Sequence, residues 1–154
     1  MSTSLQAMDL LMQAPTEEIL ERLFSIQDIM LKLPQVPIHT EHLIHAGMYS
    51  RTIRMEPGTV MIGSLINRAT VLIVQGSATM LAGDERVELE GYNVLAGCPG
   101  RKQLFATRGN VEMTMIFPTQ AKTVEEAEME VFSEFDMLMS RRDGSGDTVN
   151  ITGY

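Results

Sequence analysis

The sequence predicts a mainly β domain, a sandwich or a barrel, carried between helical segments. Three observations predict it. Between residues 38 and 119 the apolar runs are short and separated by Gly, Pro and Asn breakers, which is how many short strands read. Before residue 34 and after residue 122, apolar residues recur instead at helical spacing. The length of 154 residues, with 44% hydrophobic and 21% charged residues, fits one ordinary globular domain and excludes wholesale disorder.

The N-terminal stretch, residues 1–37, reads as helical. Ser4 is placed to cap a helix from Leu5 to Gln13, which Pro15 ends. Thr16 starts a second helix, with Glu17 and Glu18 at its positive end. Ile19, Leu20, Leu23, Phe24, Ile26 and Met30 mark its apolar face, Pro34 stops it, and Gln35-Val36-Pro37 is extended.

Residues 38–119 supply the strands. Met48 to Met55 is followed by the turn Glu56-Pro57-Gly58, then Thr59 to Ile62 and Ala69 to Val74. Gln75-Gly76 breaks the run before Ser77 to Leu81. Ala82-Gly83-Asp84 reads as a hairpin turn leading into Glu85 to Leu89. After the turn Glu90-Gly91 come Tyr92 to Leu95, Lys102 to Thr107 and Val111 to Phe117, with Arg108-Gly109-Asn110 as a hairpin loop. Residues 120–142 contain an acidic helix spanning 123–140, opened by a Thr123/Glu126 capping box. Residues 143–154 read as a loose tail.

Charge and composition narrow the function. The net charge of −8 comes without any basic face, so a nucleic-acid partner is not expected. The longest aliphatic run, Val71 to Val74, is far short of a membrane span. The first residues hold no basic stretch leading into an apolar segment, and Cys98 is the single cysteine. A reducing cytoplasm is the expected location. Thirteen Met and no Trp point to a plastic core or a partner surface.

The β section resembles a cupin domain, a small jelly-roll barrel. Pro57-Gly58 and Gln75-Gly76 bracket the stretch that corresponds to the first cupin motif. Leu95-Ala96-Gly97-Cys98-Pro99-Gly100 stands where the second motif has its Pro-Ala-Gly-x-Pro-His turn. The chain is also similar to small cupin-like proteins of tailed phages and prophages. That likeness lies in Gly47-x-Tyr49-x-Arg51, Pro57-Gly58-Thr59, Pro99-Gly100-Arg101-Lys102 and the Glu-rich helix from Val124. The resemblance implies a cupin-type double-stranded β-helix with N-terminal helices and a C-terminal acidic helix. It also implies a homo-oligomer, and the host cytoplasm for a phage-encoded chain.

Catalytic cupins hold a metal with two or three His and a carboxylate. Here the first-motif ligand region, Gly63 to Ala69, contains no His, Asp or Glu, and Gly100 stands at the third-His position. No metal, cofactor or catalytic residue is therefore expected. His39, His42 and His45 lie elsewhere. On a helical turn they would share a side, whereas on a strand His42 would face away from the other two. Cys98 has no His nearby in sequence, and Glu85, Glu88 and Glu90 sit around a hairpin, so neither supports catalysis.

The expected site is instead a binding pocket. Tyr49 and Arg51 are placed inward by the resemblance, with Ser64 beside them. If Gly100 faces inward, alternation carries Lys102 and Leu104 inward and Arg101, Gln103 and Phe105 outward. A cavity holding Arg51 and Lys102 would attract a small anionic molecule, such as a nucleotide-like host signal. Pairing of both cations with Glu56, Glu112 or the helix acids is the structural alternative. Two further functions stay open: an interaction or assembly module acting on a host or phage protein, and a metal-dependent enzyme with a displaced site.

Overall fold

The structure, a computed structural model, describes residues 13–82, 85–138 and 147–152. Helix α1 (Glu17–Met30) leads into strands β1 (Thr40–His45), β2 (Met48–Met55), β3 (Val60–Ile62) and β4 (Thr70–Ala82). Then come β5 (Glu85–Leu89), β6 (Tyr92–Gly97), β7 (Leu104–Pro118), helix α2 (Val124–Val131) and β8 (Thr148–Ile151).

Two long strands organise the rest. β4 and β7 pair antiparallel, from Val71 opposite Ile116 to Gly76 opposite Val111, and again from Ala78 opposite Thr107 to Leu81 opposite Leu104. Each also serves two further partners. The first half of β4 pairs with β6 and its second half with β5. β7 pairs with β3 through Leu104–Ala106 and with β2 through Val111–Pro118. β1 extends the sheet beyond β2, and β8 adds to β1 in parallel. The two half-sheets share one core, in which Tyr49, Leu72, Met80, Leu89, Phe105 and Phe117 belong to a single buried cluster. The fold is thus mainly β, a jelly roll flanked among the described residues by two α-helices.

The bend between the halves corrects two expectations. Gln75-Gly76 does not end a strand, and Arg108-Gly109-Asn110 is not a hairpin loop, because β4 and β7 run through both. Ser77 alone faces Arg108, Gly109 and Asn110, a bulge that turns the ladder without breaking it. Gly76 has φ +127°, and a Cβ there would lie 2.2 Å from the Asn110 carbonyl oxygen. Arg108 closes the bulge from outside by donating to Ser77 Oγ and Thr79 Oγ1 and pairing with Glu88 and Glu90.

Further differences lie at the periphery. Thr16 caps α1 as expected, its Oγ1 accepting from the Ile19 amide. The earlier helix, Leu5–Gln13, lies outside the described residues but for Gln13, as do Gly83 and Asp84 of the expected turn. The acidic helix starts on its Thr123 cap but ends at Val131, short of residue 140. Phe132 is extended there and bridges Ile66, while Asn67 N–H donates to Val131 and Ser133 N–H to Leu65. These bonds to a neighbouring loop replace the next helical turn. The expected loose tail contains β8, because the free edge of β1 offers Glu41–Ile44 as a template. Residues 139–146, 153 and 154 lie outside the described residues.

Gly76→Ala is expected to destabilise the fold by about 1–3 kcal/mol from backbone strain, plus the clash with Asn110. Gly58→Ala should cost only the left-handed strain, about 1–2 kcal/mol, since φ there is +78° and its missing Cβ faces open space. Urea unfolding midpoints of the two variants check the order; equal losses would contradict the close approach at the bend.

Candidate functional site

Between the roll and the segment after α1 lies a half-open cavity of about 540 Å³. Alternation along the strands aims Arg51 and Ile53 of β2, and Phe105, Met113 and Met115 of β7, into it. β3, Thr40 of β1 and Leu72 of β4 complete the strand walls, and the end of α1 with residues of the segment 31–38 lines another side. Phe132, Glu134 and Leu138 reach it from the C-terminal stretch. Most of the wall is aliphatic, aromatic or Met, an adaptable surface for an apolar body.

The charged groups of the wall differ in how they are compensated. Arg51 donates to Glu128 on α2 at 2.5 Å and lies over the Phe132 ring, 5.1 Å from its centroid. Glu134 accepts from Lys102 Nζ at 2.8 Å, Gln27 Nε2 at 2.8 Å and the Leu65 amide at 2.9 Å. Burial works against its charge, but those hydrogen bonds outweigh it and hold the carboxyl below its ordinary range. Lys102 also donates to Gln27 Oε1 and the Gly63 carbonyl. Its pKa is nevertheless lowered, because burial costs the ammonium more than Glu134 returns. The two shifts thus favour charge on Glu134 and oppose it on Lys102, which is how a buried pair near break-even behaves.

Arg101 stands apart. It is fully buried, at 0% exposure, and lines the cavity. Nη1 donates to the Cys98 carbonyl at 3.0 Å and Nη2 to Thr70 Oγ1 at 2.6 Å. No carboxylate among the described residues pairs with it, and its Nε–H has no partner. Burial pushes its pKa down to about 10, so it stays charged at neutral pH. Its seat is Gly97, where a Cβ would lie 2.2 Å from Nη1 and 2.3 Å from Cζ. Ser64 Oγ, also buried on this wall, has no partner either.

The structure brings together only some of the expected site residues. Arg51 and Ser64 lie on the cavity wall. Tyr49 is fully buried within the core against Phe117, off that wall. Lys102 lies beneath α1, its ammonium 4.6 Å from the Phe24 ring centroid. The inward set around β7 is Arg101, Gln103 and Phe105, the reverse of the expected parity. Gly100 sits in a turn at φ +86° and does not set the strand's facing; Arg101, bridged to Ile66, begins the register. The Pro99-Gly100 turn next to Arg101 was the available signal, but a turn does not tell which way its successor points.

The histidines separate as they must on a strand. His42 is buried in β1, while His39 and His45 are exposed. His42 Nδ1 is 2.7 Å from the Tyr49 hydroxyl and Nε2 is 2.9 Å from an Asp147 carboxylate oxygen. A neutral ring satisfies both, with Nε2–H donating to Asp147 and Nδ1 accepting from Tyr49. Burial lowers the His42 pKa more than Asp147 raises it, and burial pushes Tyr49 up to about 12. Arg51 lies 3.5 Å from the same hydroxyl, so a polar chain joins β8 to α2 behind the cavity wall.

A cupin-type metal does not fit these residues. Among the described residues the wall offers one carboxylate, Glu134, which already holds three donors, and no His or Cys. Among the described residues no group of three or more His, Cys, Asp or Glu could hold a metal ion. No helix among them is long and apolar enough to cross a membrane.

No protein-family model and no curated protein matches the chain. Solved structures similar to it include a cupin superfamily protein from Desulfitobacterium hafniense, 16% identical over 58% of this chain and 84% of that one, TM-score 0.44. A cupin 2 conserved barrel domain protein from Salinispora arenicola is 15% identical over 59% and 84%, TM-score 0.46. The Cnp3 cupin domain of Schizosaccharomyces pombe is 12% identical over 66% and 72%, TM-score 0.45.

The His42 pKa lies below 6.5 in the folded chain. The unfolded chain therefore takes up this proton first as pH falls. The stability that neutral His42 contributes is full above about pH 6.5 and is lost as pH drops from there through the lowered folded value. Urea midpoints should fall between pH 7.5 and 5.5, and His42→Gln should flatten that slope. An unchanged slope would show that another group titrates.

Proposed function

We propose that this chain is a binding protein that takes a small anionic molecule into the cavity of the roll and does no chemistry on it. The observation that carries this reading is Arg101, a buried guanidinium on a mostly apolar cavity wall, with no partner for its Nε–H and no carboxylate among the described residues. Leaving a buried charge uncompensated costs several kcal/mol, and a bound anion would both neutralise it and accept from Nε. Arg51 and Ser64 would line the ligand. Lys102 and Tyr49 act one step behind it, Lys102 by fixing Glu134 and Tyr49 by joining Arg51 to His42. With the resemblance to phage-encoded cupin-like proteins, the role would be capture of a host small molecule in the host cytoplasm.

Native mass spectrometry of protein taken from cells should find a retained small anion, and Arg101→Met should lose it while remaining folded. Retention of the same mass by the variant would remove Arg101 from the site.

A second reading concerns assembly, and one observation favours it. Val71, Tyr92 and Val94 are 44%, 64% and 58% exposed. They lie together on paired β4 and β6, where Val94 stands opposite Ile73 and Tyr92 opposite Gln75. Such a face suits a second copy of the chain. Sedimentation should show a dimer or larger species that Val94→Glu shifts towards monomer. Equal sedimentation of the two proteins would exclude this face.

A further inference from the structure

The charge and shape of the cavity go further than an anion of unspecified kind. We infer that its ligand is an apolar monocarboxylate: one carboxylate on Arg101, with a hydrocarbon or aryl body along the Met-rich wall. This rests on the reading that the cavity takes an anion.

Charge supplies the first argument. Arg51 is matched by Glu128 and Glu134 by Lys102, so among the described residues Arg101 alone leaves a positive charge on the wall. One negative charge balances it. A phosphate dianion would leave a second charge uncompensated in an apolar chamber, which is strongly unfavourable.

Donor geometry supplies the second. Two of the Arg101 nitrogens already donate to Cys98 and Thr70, which fix the plane of the guanidinium against Gly97. Nε–H is the donor these two bonds leave over, and guanidinium suits a carboxylate. Ser64 Oγ–H is another unmatched donor on the same wall.

The body of the ligand follows from the rest of the wall. Ile53, Leu72, Phe105, Met113 and Met115 form an apolar stretch that suits a hydrocarbon or aryl body, beside the polar Gln35, Thr40, Thr59 and Gln103 of the same lining. A chamber of about 540 Å³ lies within the range that holds ordinary small-molecule ligands.

Calorimetry with decanoate, decanol and AMP as probes tests the class. Decanoate should bind saturably and at least tenfold tighter than either of the others. Arg101→Met should bring decanoate to the level of decanol. Gly97→Ala should weaken decanoate as well, because it keeps the charge but displaces its seat. If AMP binds more tightly than decanoate and depends on Arg101, the anion reading stands and the monocarboxylate fails. If decanol equals decanoate in the wild-type protein, or none of the three binds, Arg101 is not an anion anchor and both readings fall. Should both variants unfold, the wild-type ranking alone decides.

Discussion

Backbone pairing between β4 and β7 is the constraint on which the rest of this structure depends. Each strand is long enough to serve two partners on its outer side, and the bulge at Gly76 lets the pair turn without losing its ladder. That turn folds one half-sheet against the other and creates an interior. The inward-facing residues of β2, β3 and β7 become cavity walls only because the ladder closes over them. The outer residues of the bend then tie it shut, with Arg108 of β7 reaching over β4 to Glu88 of β5 and to Glu90.

The second organising influence is the distribution of buried charge. Arg51 and Lys102, the cations that the sequence marks as inward, each meet an acid from the C-terminal stretch. The stretch after β7 therefore completes the barrel electrically as well as sterically. α2 brings Glu128 to Arg51, and the chain beyond it brings Glu134 to Lys102 and to Gln27 of α1. Helix α1 is held partly by this shared carboxylate, since only Leu23 of its residues is buried. Arg101 receives no such acid among the described residues, so the wall keeps a positive charge where it adjoins the cavity.

The strand pattern was largely readable from the residues. Thr16, Pro34 and the Thr123/Glu126 box fix helix starts and stops through local backbone chemistry, which needs no distant partner. Gly76 was legible as a special position but not as a bend within a strand. A glycine with positive φ ends a strand or curves it, depending on whether a partner lies opposite. The same limit explains α2: its sequence continues helical to residue 140, but the edge at Leu65–Asn67 offers backbone bonds that end the helix at Val131. Of the expected site, Arg51 and Ser64 reach the wall because strand alternation and loop position are local. Lys102 and Arg101 exchange places because the facing of β7 starts beyond a turn, and the turn's geometry is set by Ile66 across the fold.

By itself the sequence determined a β section of short strands between capped helices, an interior rich in Met, and a first-motif loop without metal-binding side chains. These follow from residue type, spacing and turn chemistry, all of which act over a few bonds. Only the tertiary structure decided that His42 is buried while His39 and His45 are exposed, that β8 pairs along the β1 edge, and which cation is without an acid among the described residues. Those outcomes depend on which groups meet after the chain has closed. Electrostatic compensation is a property of neighbours in space, and residues more than thirty positions apart, such as Thr70 and Arg101, become neighbours only in the folded roll.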